Sequence, residues 1–191
     1  MIRMAWMAFL FVAGCGYHLG GTSPTVPATA RTVSVAVFGN STREHGVEIA
    51  LRNAIEEEFR RRGTLKVVPD PQGDLAVSGV IRRYQSTPVA FSGTSEAVQF
   101  QGVMLVSFRV VERTTGRLVY ENKRLQESLD YGAVSGVVVT SSPRFQRGTI
   151  DARDLGQMTN VQLGEARRRE TLGELVDVLA RDVYLQSMEG F

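Results

Sequence analysis

"GVMLVSFRVVERTTGRLVYENKRL" runs from Gly102 to Leu125, and its periodicity decides the fold. Met104, Val106, Phe108 and Val110 recur at every second position, the spacing of a strand with one face on a core. Val103, Leu105, Ser107, Arg109 and Val111 take the other side, and three of those five are apolar. Thr114-Thr115-Gly116 then supplies a tight turn. A strand over about Gln99–Arg113 is therefore expected to return as another over about Arg117–Leu129. An antiparallel pair with water on its second side should alternate more cleanly than this. Either the chain's own loops fold over Val103, Leu105 and Val111, or a partner covers them. The apolar, small-residue patch Val134–Val139 is one candidate cover.

Outward from this hairpin the signals stay local. Leu75–Gln85 reads as a third long strand. The stretch "STPVAFSGTSEA" after it has no clear period and is expected to be a flexible connection. "TVSVAVF", beginning at Thr32, alternates with Val33, Val35 and Val37 on one side, and Gly39-Asn40-Ser41 turns the chain. From His45 to Arg62 the period becomes helical: Val47, Leu51, Ala54, Ile55 and Phe59 share a face. Glu48–Arg52 and Glu56–Arg60 are i,i+4 pairs in the favourable order. Arg60, Arg61 and Arg62 fall at the negative end of the helix dipole, with Gly63 as the stop. Leu65–Val68 is a short extended piece closed by Pro69 and Pro71. Tyr131–Gly164 reads as irregular. A second helix over about Gly164–Ser187 carries Leu172, Leu175, Val176, Leu179 and Val183 as its apolar stripe. This order predicts an α+β fold: a small, mostly antiparallel sheet of about four strands, with mixed pairing allowed, and two helices packed on one face. Residues 32–191 are expected to form one domain.

With 22 basic and 20 acidic residues in 191, the net charge of +2 points away from a nucleic-acid binder. Chemistry is hard to assemble. His18 lies in a polar tether and His45 opens the first helix. Cys15 is the lone cysteine, and no metal-ligand spacing occurs. Gly132-Ala133-Val134-Ser135-Gly136 is not a nucleophile elbow, because its serine stands one place late. No catalytic residue, metal or cofactor is therefore expected.

The N-terminus suggests where the chain resides. Arg3 precedes the apolar run Ala5–Val12, which is too short for a bilayer span but has the size of an export h-region. Val12-Ala13-Gly14-Cys15 resembles the bacterial lipobox. That resemblance implies that residues 1–14 are a signal peptide and that Cys15 carries lipid on its sulfur and acyl on its new amine. Residues 15–31 then hold the lipidated cysteine and a Gly- and Pro-containing tether. Gly16, where such lipoproteins place aspartate for inner-membrane retention, favours the outer membrane.

Cys15-Gly16-Tyr17-His18-Leu19 directly after that motif, the strand "TVSVAVFGNST", the helix ending "EEEFRRRG", the strand "LAVSGVIRRY" and the C-terminal amphipathic helix together resemble the LptE (RlpB) family. These are lipopolysaccharide-assembly lipoproteins of the outer membrane. The resemblance implies a non-catalytic protein that plugs the β-barrel translocon LptD, helps assemble it and contacts lipopolysaccharide. Periplasmic lipoproteins that activate a peptidoglycan synthase share the tether, strand and helix, and form the alternative. About 16 residues separate Cys15 from the first strand, a reach of at most roughly 55 Å, which favours work close to the membrane. If lipopolysaccharide is the ligand, its phosphates need cations. Arg82 and Arg83, adjacent and hence expected on opposite faces, are candidates with Arg113, Lys123 and Arg124. The competing reading is solvated strand charge balanced by Glu112, Glu121 and Glu127. Val103, Leu105 and Val111 are the candidate partner interface.

Overall fold

A computed structural model describes residues 26–93, 97–132 and 152–189. Cys15 and the patch Val134–Val139 lie outside the described residues. Within them the chain runs β1 (Thr32–Val35), β2 (Gly39–Asn40), α1 (Val47–Arg62), β3 (Lys66–Val67), β4 (Leu75–Phe91), β5 (Ala97–Glu112), β6 (Leu118–Gly132) and α2 (Ala152–Glu189). The strands form one six-stranded sheet in the order β3-β1-β4-β5-β6, with β2 pairing β4. β1 is parallel to both β3 and β4, and β2 is parallel to β4, whereas β4, β5 and β6 form an antiparallel meander. The sheet is therefore mixed, and two strands of two residues each raise the count above the expected four.

One face of the sheet carries the core. Val33 and Val35 of β1, Leu75, Val77 and Ile81 of β4, and Met104, Val106, Phe108 and Val110 of β5 are all buried, as the alternation from Gly102 onward requires. Val47, Leu51, Ile55 and Phe59 of α1 and Leu175, Val176, Leu179, Ala180 and Val183 of α2 complete it. Glycines let the layers approach. A Cβ on Gly102 would meet Leu175 Cδ1 at 3.3 Å, so α2 rests closely on β5 there. A Cβ on Gly79 would lie 2.4 Å from the ring of Phe38, which fills the space over β4.

Several expectations are corrected. β1 ends at Val35, so Val37 is 54% exposed and Phe38 takes the buried place instead. β4 continues through Ser86–Phe91, including Pro88, where a flexible connection was expected. Beyond Ile81 β4 pairs only with β5, and a register shift follows Pro88, so the missing N–H is tolerated at an edge. β6 reaches Gly132 and α2 already begins at Ala152, so both ends of the expected irregular segment Tyr131–Gly164 are regular. Glu48 does not bond Arg52. Its carboxylate accepts from Asn40 Nδ2 at 2.7 Å, and Arg52 turns to Glu56 at 3.4 Å. At the end of α1 the arginines behave as a helix terminus should: Arg60 pairs with Glu56 at 2.7 Å, Arg61 and Arg62 turn to Glu58, and Gly63 caps in the left-handed region with φ 66.

Candidate functional site

The helix-free face is closed at one end and open at the other. Over β1 it is closed by segment 69–74 and by Arg113. The Arg113 guanidinium donates to Asp70 Oδ1 at 2.7 Å, to Ser34 Oγ at 3.2 Å and to the Gly73 carbonyl at 3.1 Å. Asp74 locks the same corner, its carboxylate accepting from the Arg31 and Thr32 N–H groups at 2.9 Å each. Those backbone donors, with the Thr32 hydroxyl, hold the Asp74 carboxyl below the usual carboxylate range. Arg113 is thus engaged in structure and is not brought to the other candidate cations.

Farther along, the face is open and cationic, and two β-bulges make it so. Ile81 pairs with Val106 and Arg83 with Leu105, so Arg82 and Arg83 together oppose Leu105. Across the sheet, Val106 pairs with Leu125 and Phe108 with Asn122, so Lys123 and Arg124 together oppose Ser107. A bulge inserts one extra residue and breaks the alternation of side chains. Both members of each doublet consequently share the face of Leu105 and Ser107. This corrects the expectation that Arg82 and Arg83 point to opposite faces, which holds only for a regular strand. Arg82, Lys123 and Arg109 line a concavity of about 660 Å³ with Ser78, Val80, Leu105, Ser107 and Glu121. Arg83 lines a neighbouring hollow with Arg82, Ser41–Glu44, Tyr84 and Gln85. Arg124 is exposed on the same face.

Within the concavity Arg82 Nε donates to Ser107 Oγ at 3.0 Å, and the Ser107 hydroxyl donates in turn to the Val80 carbonyl at 3.4 Å. Arg109 Nε donates to Ser78 Oγ at 3.4 Å. Glu121 stands opposite Arg109, with its carboxylate 3.3 Å from Lys123 Nζ. Among the described residues no carboxylate forms an ion pair with Arg82, Arg83, Arg109 or Arg124. Val103, Leu105 and Val111 sit on this face, each partly exposed and paired with Gln85, Arg83 and Ala76. Sequence reasoning missed Arg109, Ser78 and Ser107 as members of the site. The available signal was the spacing of core residues: two positions, not one, separate Ile81 from Tyr84 and Asn122 from Leu125.

On the helix side, Glu127 of β6 faces Asp182 of α2. Burial, together with the hydrogen bond and charge of Asp182, pushes the Glu127 carboxyl above its ordinary range. At the far end of the meander, Phe100 stacks on Tyr131 with ring centroids 5.5 Å apart, and Phe91 is 60% exposed. Among the described residues no group of three or more His, Cys, Asp or Glu is placed to hold a metal, and no helix is long and apolar enough to cross a membrane.

These features define the class: an α+β protein with helices on one face of a mixed sheet and a cationic, partly apolar opposite face. The chain belongs to the LptE lipopolysaccharide-assembly family, which matches residues 30–187. No curated protein matches it significantly. Solved structures with similarity include the PelC dodecamer from Paraburkholderia phytofirmans, 14% identical over 87% of this chain and 95% of that one, with a TM-score of 0.49. The rare lipoprotein B from Shewanella oneidensis is 14% identical over 82% of this chain and 99% of that one, with a TM-score of 0.38. An uncharacterized lipoprotein B from Nitrosomonas europaea is 14% identical over 82% and 83%, with a TM-score of 0.41.

Proposed function

We propose that this protein is an outer-membrane lipoprotein, anchored through Cys15, that plugs and helps assemble an LptD-type β-barrel and assists lipopolysaccharide insertion at the cell surface. Family membership across residues 30–187 supports the assembly role. The observation that carries the plug reading is the helix-free face, where Val103, Leu105 and Val111 lie among five cations. A barrel wall presenting acidic groups beside apolar ones would complement both components. The lipid on Cys15 and the short segment that follows it keep the remaining chain next to the membrane in which that barrel resides. No step in this role calls for a catalytic residue or a cofactor. The test is affinity capture of the full-length tagged chain from detergent-solubilised membranes, with mass spectrometry of what copurifies. An outer-membrane β-barrel in stoichiometric amount is the expected result. Capture of a peptidoglycan synthase without a barrel would overturn the reading in favour of a synthase activator.

A further inference from the structure

We propose that the outer face of α2 is a self-association surface, on which two copies of this chain pair about a two-fold axis beside Leu179. α1 and α2 lie side by side and run the same way. Glu44 meets Arg168 at 2.8 Å toward one end of the pair, and Phe59 meets Tyr184 with ring centroids 5.0 Å apart toward the other. Between them, on the side away from the sheet, is a groove of about 540 Å³ lined in part by Ala50, Ala54 and Ala180. Gly173, Asp177 and Arg181 border it from α2. Leu185, half-buried, continues their i,i+4 row, and such a row is the ridge by which helices most often interdigitate.

Reversed about Leu179, that row is its own complement. Gly173 comes opposite the second copy's Leu185, and Asp177 opposite the second copy's Arg181, each contact occurring twice as an isologous interface requires. Asp177 and Arg181 are both exposed, and among the described residues neither forms an ion pair or a hydrogen bond. A partner surface of one charge sign would set one of them against its like, whereas a second copy satisfies both. Gly173 points the same way. Glycine weakens a helix interior relative to alanine, and a Cβ there would meet nothing within 4 Å, so packing within the chain does not call for it. A leucine brought against that point by a second helix does. Glu58, 6% exposed, lines the same groove, and its Oε2 accepts no hydrogen bond, with Arg62 Nε 3.7 Å away. The groove therefore also holds an acceptor that a donor from outside the chain would satisfy. The pairing is independent of the barrel role, which uses the opposite face of the sheet.

The experiment is sedimentation equilibrium of the purified full-length chain in density-matched non-ionic detergent, over a series of concentrations. The parent should show a monomer–dimer equilibrium. Asp177→Arg and Arg181→Asp should each weaken it by about tenfold or more, because each turns both attractive contacts into repulsions. Combining Asp177→Arg with Arg181→Asp should restore the dimer, a rescue that damage to the fold would not give. Gly173→Leu should remove the dimer at unchanged or raised thermal stability, since leucine is the better helix former and has room within the chain. A parent that sediments as a monomer throughout would overturn the proposal. So would dimers that the single charge reversals and Gly173→Leu leave intact. Dimers lost in Leu105→Asp but kept in Asp177→Arg would put the contact on the helix-free face and overturn it as well.

Discussion

Leu105→Asp separates a face covered by a partner from one covered by the chain itself, provided Val106→Asp is measured beside it. The two residues are neighbours on β5 and point to opposite sides of the sheet. Leu105 is partly exposed over the concavity, whereas Val106 is 0% exposed beneath the helices. Full burial of a leucine stabilises by about 1.5–3 kcal/mol, and a partly exposed one contributes only a fraction of that. Aspartate in a strand costs up to about 1 kcal/mol more, and Arg83 directly across from it offsets part of the loss. The expected net cost for Leu105→Asp is about 1–2 kcal/mol. At about 2–4 °C per kcal/mol for a chain of this size, Tm should fall by about 2–8 °C. Val106→Asp forces an unpaired charge into the core, a change at the extreme of single mutations at over about 4 kcal/mol, so Tm should collapse or folding fail. The assay is thermal unfolding by circular dichroism on the full chain, together with capture of the barrel from membranes. Leu105→Asp should keep its fold and lose the barrel. If it melts as early as Val106→Asp, the chain covers its own face. If it melts late and still captures the barrel, the face is not the interface.

Three further outcomes follow from other parts of the structure. Gly79→Ala sets a Cβ 2.4 Å from both the Phe38 ring and the Ser107 carbonyl oxygen and should cost about 1–3 kcal/mol in denaturant unfolding; an unchanged midpoint would show that Phe38 and β5 do not approach Gly79 so closely. Glu127 binds its proton more tightly folded than unfolded, so its contribution is fully present below about pH 4.5 and is lost as pH rises through the raised value. Glu127→Gln should therefore flatten that part of a Tm-against-pH curve and stabilise the protein at pH 7, and parallel curves would refute the coupling to Asp182. Cys15→Ser should leave an unprocessed or soluble chain without fatty-acid label, and label persisting in the variant would refute lipidation at that thiol.

Legibility in the sequence followed periodicity. The faces of β5 could be read because Met104–Val110 alternate without a break, and α1 because its apolar positions recur every three or four residues. The same reasoning failed where alternation is interrupted. At Arg82–Arg83 and Lys123–Arg124 a regular strand would divide each doublet between faces, but the bulges keep both members together. Register is a property of two strands, and within one strand the only trace of each bulge is the two-residue gap between core positions. The stretch from Ser86 onward has no clear period, yet β4 continues through it and tolerates Pro88 where only β5 pairs with that strand. The early start of α2 at Ala152 was missed although Leu155, Met158 and Val161 recur every three residues; Gly156 and Gly164, poor helix formers, interrupt the pattern. The cationic site was therefore half legible: its residues were nameable, but their convergence depended on pairing. Arg113 shows the converse, being drawn away by Asp70, Ser34 and Gly73, which sequence spacing does not bring near it.

The place of β1 in the sheet has a consequence for how the chain acquires its structure. β1 lies between β3 and β4, and both of these follow it in the chain. During synthesis the N-terminal part emerges first, so Val33 and Val35 appear before either neighbouring strand exists. α1 can form on its own local signals, and the β4–β5–β6 meander can close by short hairpins. β1 must wait until Leu75–Val77 arrive to provide its register. Parallel pairing across such a gap carries the loop-closure cost that makes non-local contacts slow. Until then β1 is an apolar strand with both edges unpaired, and it is the segment for which a holding chaperone has most to do.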